Sequence, residues 1–268
     1  MSDLAEQAAG PTPRPVVLIT GAAQGIGAGM AGVFAGAGYR VAIADLEGLA
    51  AEAAAASLGP EHAGFGLDVA DETVVRETVF AVERRFGRID AVVNNAGIGD
   101  SHLPTLEQDF AAFRKVLDVH LAGSYLVARE AGRGMIARGA GSIVNVSSIA
   151  GLTGMPRRNA YSAAKAGIVA MTEALACEWA ARGVRVNAIA PGYVETALVA
   201  KLIGAGRIDR DRMVSRVPMG RLGRPEEIGQ AALFLCSPRA GFITGSCLSV
   251  DGGWAAFNDA GPAWQPER

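Results

Sequence analysis

Cysteine, histidine and net charge are all scarce in this chain of 268 residues, and each scarcity removes a class of function. The three cysteines, Cys177, Cys236 and Cys247, are an odd set without paired spacing. That argues against a disulfide framework and against a structural zinc site. His62, His102 and His120 are scattered and form no metal motif, so no metal is expected. The formal net charge is −2 and no block of basic residues occurs, so the positive footprint of a nucleic-acid binder is missing. No uninterrupted apolar stretch reaches the roughly 18 residues of a membrane span. Residues 1–15 are polar and acidic, with three prolines, and lack the basic-then-apolar order of a secretory signal. A reduced, cytoplasmic setting is the expectation.

What is present is an apolar chain, 50% hydrophobic and 19% charged, long enough to bury a sizeable core and unlike a disordered one. Its 35 glycines lack the every-third-residue spacing of collagen, so their meaning lies in their positions. Short apolar runs at 16–20, 41–45, 64–68, 91–95, 142–147, 184–190 and 247–251 do not alternate strictly, as expected of strands covered on both faces. Between them lie segments of helical length at 26–37, 46–58, 71–86, 106–138, 161–182 and 225–236. The order strand, helix, strand predicts an α/β fold: a single-domain, Rossmann-type, doubly wound parallel sheet of about seven strands with helices on both faces. Residues 1–14 read as a flexible extension, 15–254 as the catalytic domain and 255–268 as a tail. Residues 192–223 interrupt the alternation, and their length suits a substrate lid.

After the first apolar run comes Thr20-Gly21-Ala22-Ala23-Gln24-Gly25-Ile26-Gly27, and then a helical pattern. Glycine lets the backbone approach a ligand, and a helix start offers free N–H groups to a pyrophosphate. A tight strand-to-helix connection explains the turn alone equally simply. Asp45 ends the second run, where a carboxylate accepts hydrogen bonds from an adenosine ribose and repels a 2′-phosphate. Neither Lys nor Arg occupies positions 22–24. The balance favours NAD over NADP.

Tyr161 and Lys165 are four residues apart on a helical pattern and so share a face. Free tyrosine is too weakly acidic to act as a base near neutrality. One cation at about 4 Å, at an effective dielectric of about 20, supplies the roughly 3–4 kcal/mol that would lower its pKa by two to three units. Lys165 is the expected cation. Ser148 follows a predicted strand and can hydrogen-bond a reacting oxygen. No histidine–acid pair accompanies it at recognisable spacing, so a nucleophilic serine is not expected.

Together Thr20-Gly-x-x-x-Gly-Ile-Gly27, Asn94-Asn-Ala-Gly97, Ser148, Tyr161-x-x-x-Lys165 and Pro191-Gly192 resemble the short-chain dehydrogenase/reductase family over roughly residues 15–254. The resemblance implies that Tyr161 is the general acid/base, that Ser148 positions the substrate oxygen, and that Lys165 binds the nicotinamide ribose and shifts the tyrosine. It implies a cofactor site formed by Gly21, Gln24, Gly25, Ile26 and Gly27 at the phosphates and Asp45 at the ribose. Asp68 and Val69 would meet the adenine, with Asn95, Ala96 and Gly97 mid-sheet and Tyr161 and Lys165 beside the nicotinamide. Pro191, Gly192, Val194 and Thr196 would meet its carboxamide. One departure is His120, where many members carry an asparagine that helps hold a proton-relay water; it keeps the relay or merely fills the gap.

Substrate contacts are expected from His102, Ser148, Arg158, Asn159 and Tyr161, with Arg157 and Glu195 adding polar groups nearby. Such donors and acceptors suit a secondary alcohol or ketone, read here as a sugar or polyol oxidised with NAD. The alternatives are an NADPH-dependent 3-oxoacyl-thioester reductase, for which Arg207, Arg210, Arg212 and Arg216 would offer a basic patch, and a non-catalytic nucleotide-sensing protein. The family's members are usually dimers or tetramers, so a homo-oligomer is the expected assembly. Neither nucleic acid nor membrane is an expected partner.

Overall fold

The computed structural model describes residues 14–206, 209–259 and 261–263. Seven parallel strands form one sheet in the order β3-β2-β1-β4-β5-β6-β7. They are β1 Val16–Thr20, β2 Arg40–Asp45, β3 Ala63–Gly66, β4 Ala91–Asn94, β5 Gly141–Val146, β6 Val184–Pro191 and β7 Cys247–Val250. Successive residues of β1 explain its unbroken apolar run. Val16 and Leu18 point into one core layer, Val17 and Ile19 into the other, and all four are fully buried.

Helices α1 Gly25–Gly36 and α2 Gly48–Leu58 cover one face, and α3 Glu72–Phe86 the other. Asp71 caps α3 by accepting from Thr73 N and Val74 N. Gly32 lies exposed in α1, with open space where a Cβ would stand. Gly32→Ala is therefore expected to stabilise the protein by about 0.5–1 kcal/mol in urea unfolding.

The predicted helix at 106–138 is divided. A 3-10 turn at Thr105–Glu107 precedes α4 Phe110–Leu117, whose N-cap Asp109 accepts from Ala112 N. A π-helical turn at Asp118–Ala122 then leads into α5 Gly123–Arg138, which joins the α3 face. The helix predicted at 161–182 is α6 Asn159–Trp179, two residues longer at its start and closed by a 3-10 turn. The 192–223 excursion contains two short helices that no periodicity discloses, α7 Ala197–Gly204 and α8 Arg210–Val214. Thr196 and Asp209 cap them. Its two ends meet: Gly223 N donates to Tyr193 O at 2.9 Å, and Glu195 N to Gly223 O at 2.8 Å. Helix α9, Pro225–Cys236, has the expected bounds and packs beside α1. No helix among the described residues is long and apolar enough to cross a membrane. Strand order reverses between β1 and β4, which opens a crevice at the carboxyl ends of the strands.

Candidate active site

The glycine turn leaves β1 at this crevice. Gly21 and Gly25 take left-handed φ of 63° and 62°, and Gln24, the residue before α1, makes no side-chain cap. The first N–H groups of α1 thus remain available to an anion. Asp45 braces the turn: Oδ2 accepts from Ala23 N at 3.0 Å and Oδ1 from Glu47 N at 3.3 Å. Asn95 does the same from just beyond β4, donating through Nδ2 to Thr20 O at 3.0 Å and Gly21 O at 2.8 Å. Thr20 Oγ1 returns the contact by accepting from Asn95 N and Ala96 N, both at 3.1 Å. The asparagine side chain is therefore committed to holding two strand ends together. Thr20 has the matching role, which its place in the motif does not reveal.

Ile26 packs on the α1-side core, and Gly27 lies against Gly21 O. Asp68 is exposed and accepts from Ala70 N at 2.9 Å, while Val69 is buried against Gly123. Pro191 ends β6, and Gly192 N donates to Val250 O at 3.1 Å. Val194 is buried, and the Thr196 methyl approaches the Gly25 position. The start of the 192–223 excursion and the glycine turn thus share one crevice. These parts fit a dinucleotide: glycines where a Cβ would fill the cradle, uncapped helix N–H groups, and a carboxylate ending β2.

The side chains expected to react come from the residues just after β5 and from α6. Ser147 Oγ donates to Lys165 O at 2.8 Å and binds the end of the strand to the helix. Ser148 Oγ accepts from Ala150 N at 3.1 Å and so closes a tight turn at the crevice. Tyr161 and Lys165 share the inner face of α6, with Lys165 Nζ 5.5 Å from the tyrosine ring centroid. Lys165 is almost wholly buried, and its Nζ donates to Val146 O at 2.7 Å. An ammonium has three donors, so one acceptor leaves it under-satisfied.

Burial alone pushes Lys165 down to about 7 and pushes the Tyr161 phenol up. A hydrogen-bonding contact from Ser148 and the charge of Arg158 oppose the shift of the phenol. Arg158 is thus a second cation facing Tyr161, besides Lys165.

His120 lies in the π-helical turn, buried, with its ring edge-on to Tyr161 at 5.2 Å. Its Nε2 is 3.0 Å from Ile98 N and 2.9 Å from Ile98 O, which ties the loop after β4 to the π-helical turn. Nδ1 is buried without a partner, so a relay through this side chain would have to use that atom. Desolvation first, then the Lys165 charge, pushes His120 down to about 4. The neutral ring is the one the fold accepts, so stability should be complete above about pH 6.5 and fall as the pH drops towards 4. The loss amounts to about 3 kcal/mol. Urea titrations should show this slope, and His120→Asn should flatten it.

The expected substrate residues divide. Arg158 stacks on Tyr161, with its guanidinium carbon 4.4 Å from the ring centroid, and His102 is exposed near it. Asn159 instead donates through Nδ2 to Thr105 Oγ1 at 2.9 Å and Gln108 Oε1 at 3.2 Å, which removes that amide from substrate recognition. Asp100 lies at this site, where sequence patterns give no sign of it. It accepts from Tyr161 N at 3.1 Å across 61 positions, a contact that no local spacing encodes.

Comparison with known proteins agrees with this geometry. A sequence-family profile described as "Enoyl-(Acyl carrier protein) reductase" matches residues 21–255. The chain is 44% identical over 255 residues to an uncharacterized short-chain type dehydrogenase/reductase, y4vI, of Sinorhizobium fredii. That match covers 95% of this chain but only 46% of the other, so the chain spans about half that protein's length. It is 44% identical to the cis-4-hydroxycyclohexanecarboxylate dehydrogenase of Sinomonas cyclohexanicum, covering 90% of this chain and 96% of that one. It is 41% identical to the D-threitol dehydrogenase of Mycolicibacterium smegmatis, covering 89% and 92% respectively. Among solved structures, ElxO with NADP bound superposes with a TM-score of 0.86 at 34% identity, covering 91% of this chain and 100% of that one. The glycine turn, the Tyr161–Lys165 face and these likenesses have one reading: the chain belongs to the short-chain dehydrogenase/reductase family of NAD(P)-dependent oxidoreductases.

Proposed function

We propose that the protein is an NAD-dependent dehydrogenase that interconverts a secondary alcohol and a ketone, with a sugar or polyol as substrate. The observation that carries this reading is the placement of Tyr161 with Ser148 and Lys165 beside it. A bound nicotinamide would supply the acceptor for the hydride leaving the carbinol carbon. Tyr161 Oη takes the hydroxyl proton, and Ser148 Oγ orients the reacting oxygen. Lys165 holds the nicotinamide ribose, and acceptors offered to Nζ favour its charged form. Gly21, Gly25 and Gly27 admit the phosphates, and Asp45 favours NAD because its carboxylate would repel a 2′-phosphate. The likeness to D-threitol dehydrogenase supports a polyol, and the likeness to a hydroxycyclohexanecarboxylate dehydrogenase supports a secondary alcohol more generally. A homo-oligomer, dimer or tetramer, in the cytoplasm completes the reading. Exposed Ala163 and Ala166 on α6 support close packing of a second copy, and the free thiols suit a reducing setting.

The second reading is a 3-oxoacyl-thioester reductase using NADPH, and the 41% identity over 245 residues to a 3-oxoacyl-[acyl-carrier-protein] reductase of Thermotoga maritima favours it. Of the basic patch it would use, Arg210 and Arg212 are exposed. Arg216 donates to the carbonyls of Phe257 and Asp259 at 3.2 and 3.1 Å, and Arg207 lies outside the described residues. The test is absorbance of the reduced cofactor with a panel of polyols, sugars and hydroxy acids, each with NAD and NADP. Turnover of a polyol with NAD is the expected result. Activity confined to 3-oxoacyl thioesters with NADPH would establish the second reading, and a silent panel would remove the first.

A further inference from the structure

Helix α6 begins without a side-chain cap of its own, because an arginine occupies the position before it. An orphan N–H of its first turn, that of Tyr161, is satisfied instead by Asp100, whose Oδ2 lies 3.1 Å away. The other oxygen, Oδ1, accepts from Ser101 N at 2.7 Å. The Asp100 side chain is only 5% exposed, and the Arg158 guanidinium approaches it with Nε 3.6 Å from Oδ2. That is too long for a hydrogen bond, and Nε is buried without any partner. What the guanidinium contacts is the ring of Tyr161, 4.4 Å from its centroid.

This placement is enforced. Arg157 holds a left-handed φ of 66°, which costs an L residue about 1–2 kcal/mol and persists only where the surroundings impose it. Gln108 imposes it by donating to Arg157 O at 3.1 Å. Asn159 fixes the following residue by bonding to Thr105 and Gln108. The segment before α6 is thereby tied to the 105–108 turn on both sides of Arg158.

We propose that Asp100 and Arg158 form a clamp on Tyr161, in which the carboxylate fixes the backbone of the tyrosine and the guanidinium over its ring favours the phenolate. The clamp deepens the oxidoreductase reading and rests on it for the role of Tyr161. Of the other groups facing the tyrosine, Ser148 is neutral and hydrogen-bonds the phenol, burial keeps His120 neutral, and Lys165 adds a second positive charge 5.5 Å from the ring centroid when it is protonated. His102 is neutral at alkaline pH. Asp100 acts in the opposite direction, and the Arg158 guanidinium, nearer the ring, lowers the phenol. Arg158 and Asp100 are positioning residues here: they act through Tyr161.

The test is the ionisation midpoint of Tyr161, read as near-ultraviolet phenolate absorbance of each protein minus its Tyr161→Phe counterpart, and again from the pH dependence of kcat/KM. Arg158→Met should raise the midpoint by about one unit or more, Arg158→Lys should recover most of that shift, and Asp100→Asn should lower it. NADH binding and near-ultraviolet circular dichroism check that each variant is folded. An unchanged midpoint in Arg158→Met, or an equal shift in Arg158→Lys, would overturn the clamp. So would a raised KM with no change of midpoint, which would make Arg158 a plain substrate contact. The absorbance measurement needs no substrate. A protein that turns over no alcohol, or stays active as Tyr161→Phe, removes the functional reading while the clamp is still judged on the titration.

Discussion

Tyr161→Phe is expected to reduce kcat by about 10²- to 10⁴-fold, the usual contribution of a positioned general acid/base. The substitution deletes only Oη. The ring still meets Arg158 on one face and His120 at its edge, and the backbone N–H still meets Asp100. Folding should be unaffected, and NADH affinity, measured by fluorescence, should change by less than about threefold, roughly 0.6 kcal/mol. Near-normal turnover in this variant would dismiss Tyr161 as the proton-transfer group. Unchanged kcat with a much weakened NADH complex would make it a cofactor contact instead.

Gly27→Ala should be the most damaging single methyl in the cofactor site. Its Cβ would fall 2.3 Å from Gly21 O, 2.7 Å from Ala22 Cα and 2.7 Å from Asn95 Nδ2. Two of these atoms are backbone, and the third is fixed by its bonds to Thr20 and Gly21. The methyl must push the turn open, at a cost of about 1–3 kcal/mol in stability. NADH affinity should fall more than tenfold, because the displaced backbone is the surface offered to the phosphates. Gly25→Ala provides the control. It carries the strain of a left-handed φ of 62°, but its Cβ meets nothing nearer than the Thr196 methyl at 4.0 Å. Its stability loss should be about 1–2 kcal/mol. Calorimetric titration with NADH would rank the two, and a Gly27→Ala protein that binds as tightly as the parent would remove this turn from the phosphate site.

Much of the architecture is legible in the order of residues along the chain. Continuous apolar runs spaced by helical segments report strands covered on both faces, because each strand residue meets a core layer whichever way it points. Local devices are legible too. Pro225 starts α9 where expected, and Asp71 caps the predicted third helix. The break within 106–138 is not, since a π-helical turn is stabilised by His120 reaching Ile98 and leaves no change of hydrophobic period. Helices α7 and α8 also escape notice, being too short for periodicity to register.

The candidate site divides along the same line. Residue types at short spacing, such as Gly21-x-x-x-Gly25-x-Gly27 and Tyr161-x-x-x-Lys165, declare themselves, because a turn or one helical face is built from neighbours in the chain. Local order along the chain thus sets the sheet, the glycine turn and the side chains that meet in the crevice. Their electrostatics come from packing alone. Lys165 lies too deep in the protein to hold its proton far above neutrality. Asn95 spends its amide on the turn. Asp100 reaches the Tyr161 backbone from a segment 61 positions away, while Arg158 covers the ring. Burial and through-space distance set proton affinities, and both arise only when segments far apart in the chain are packed together.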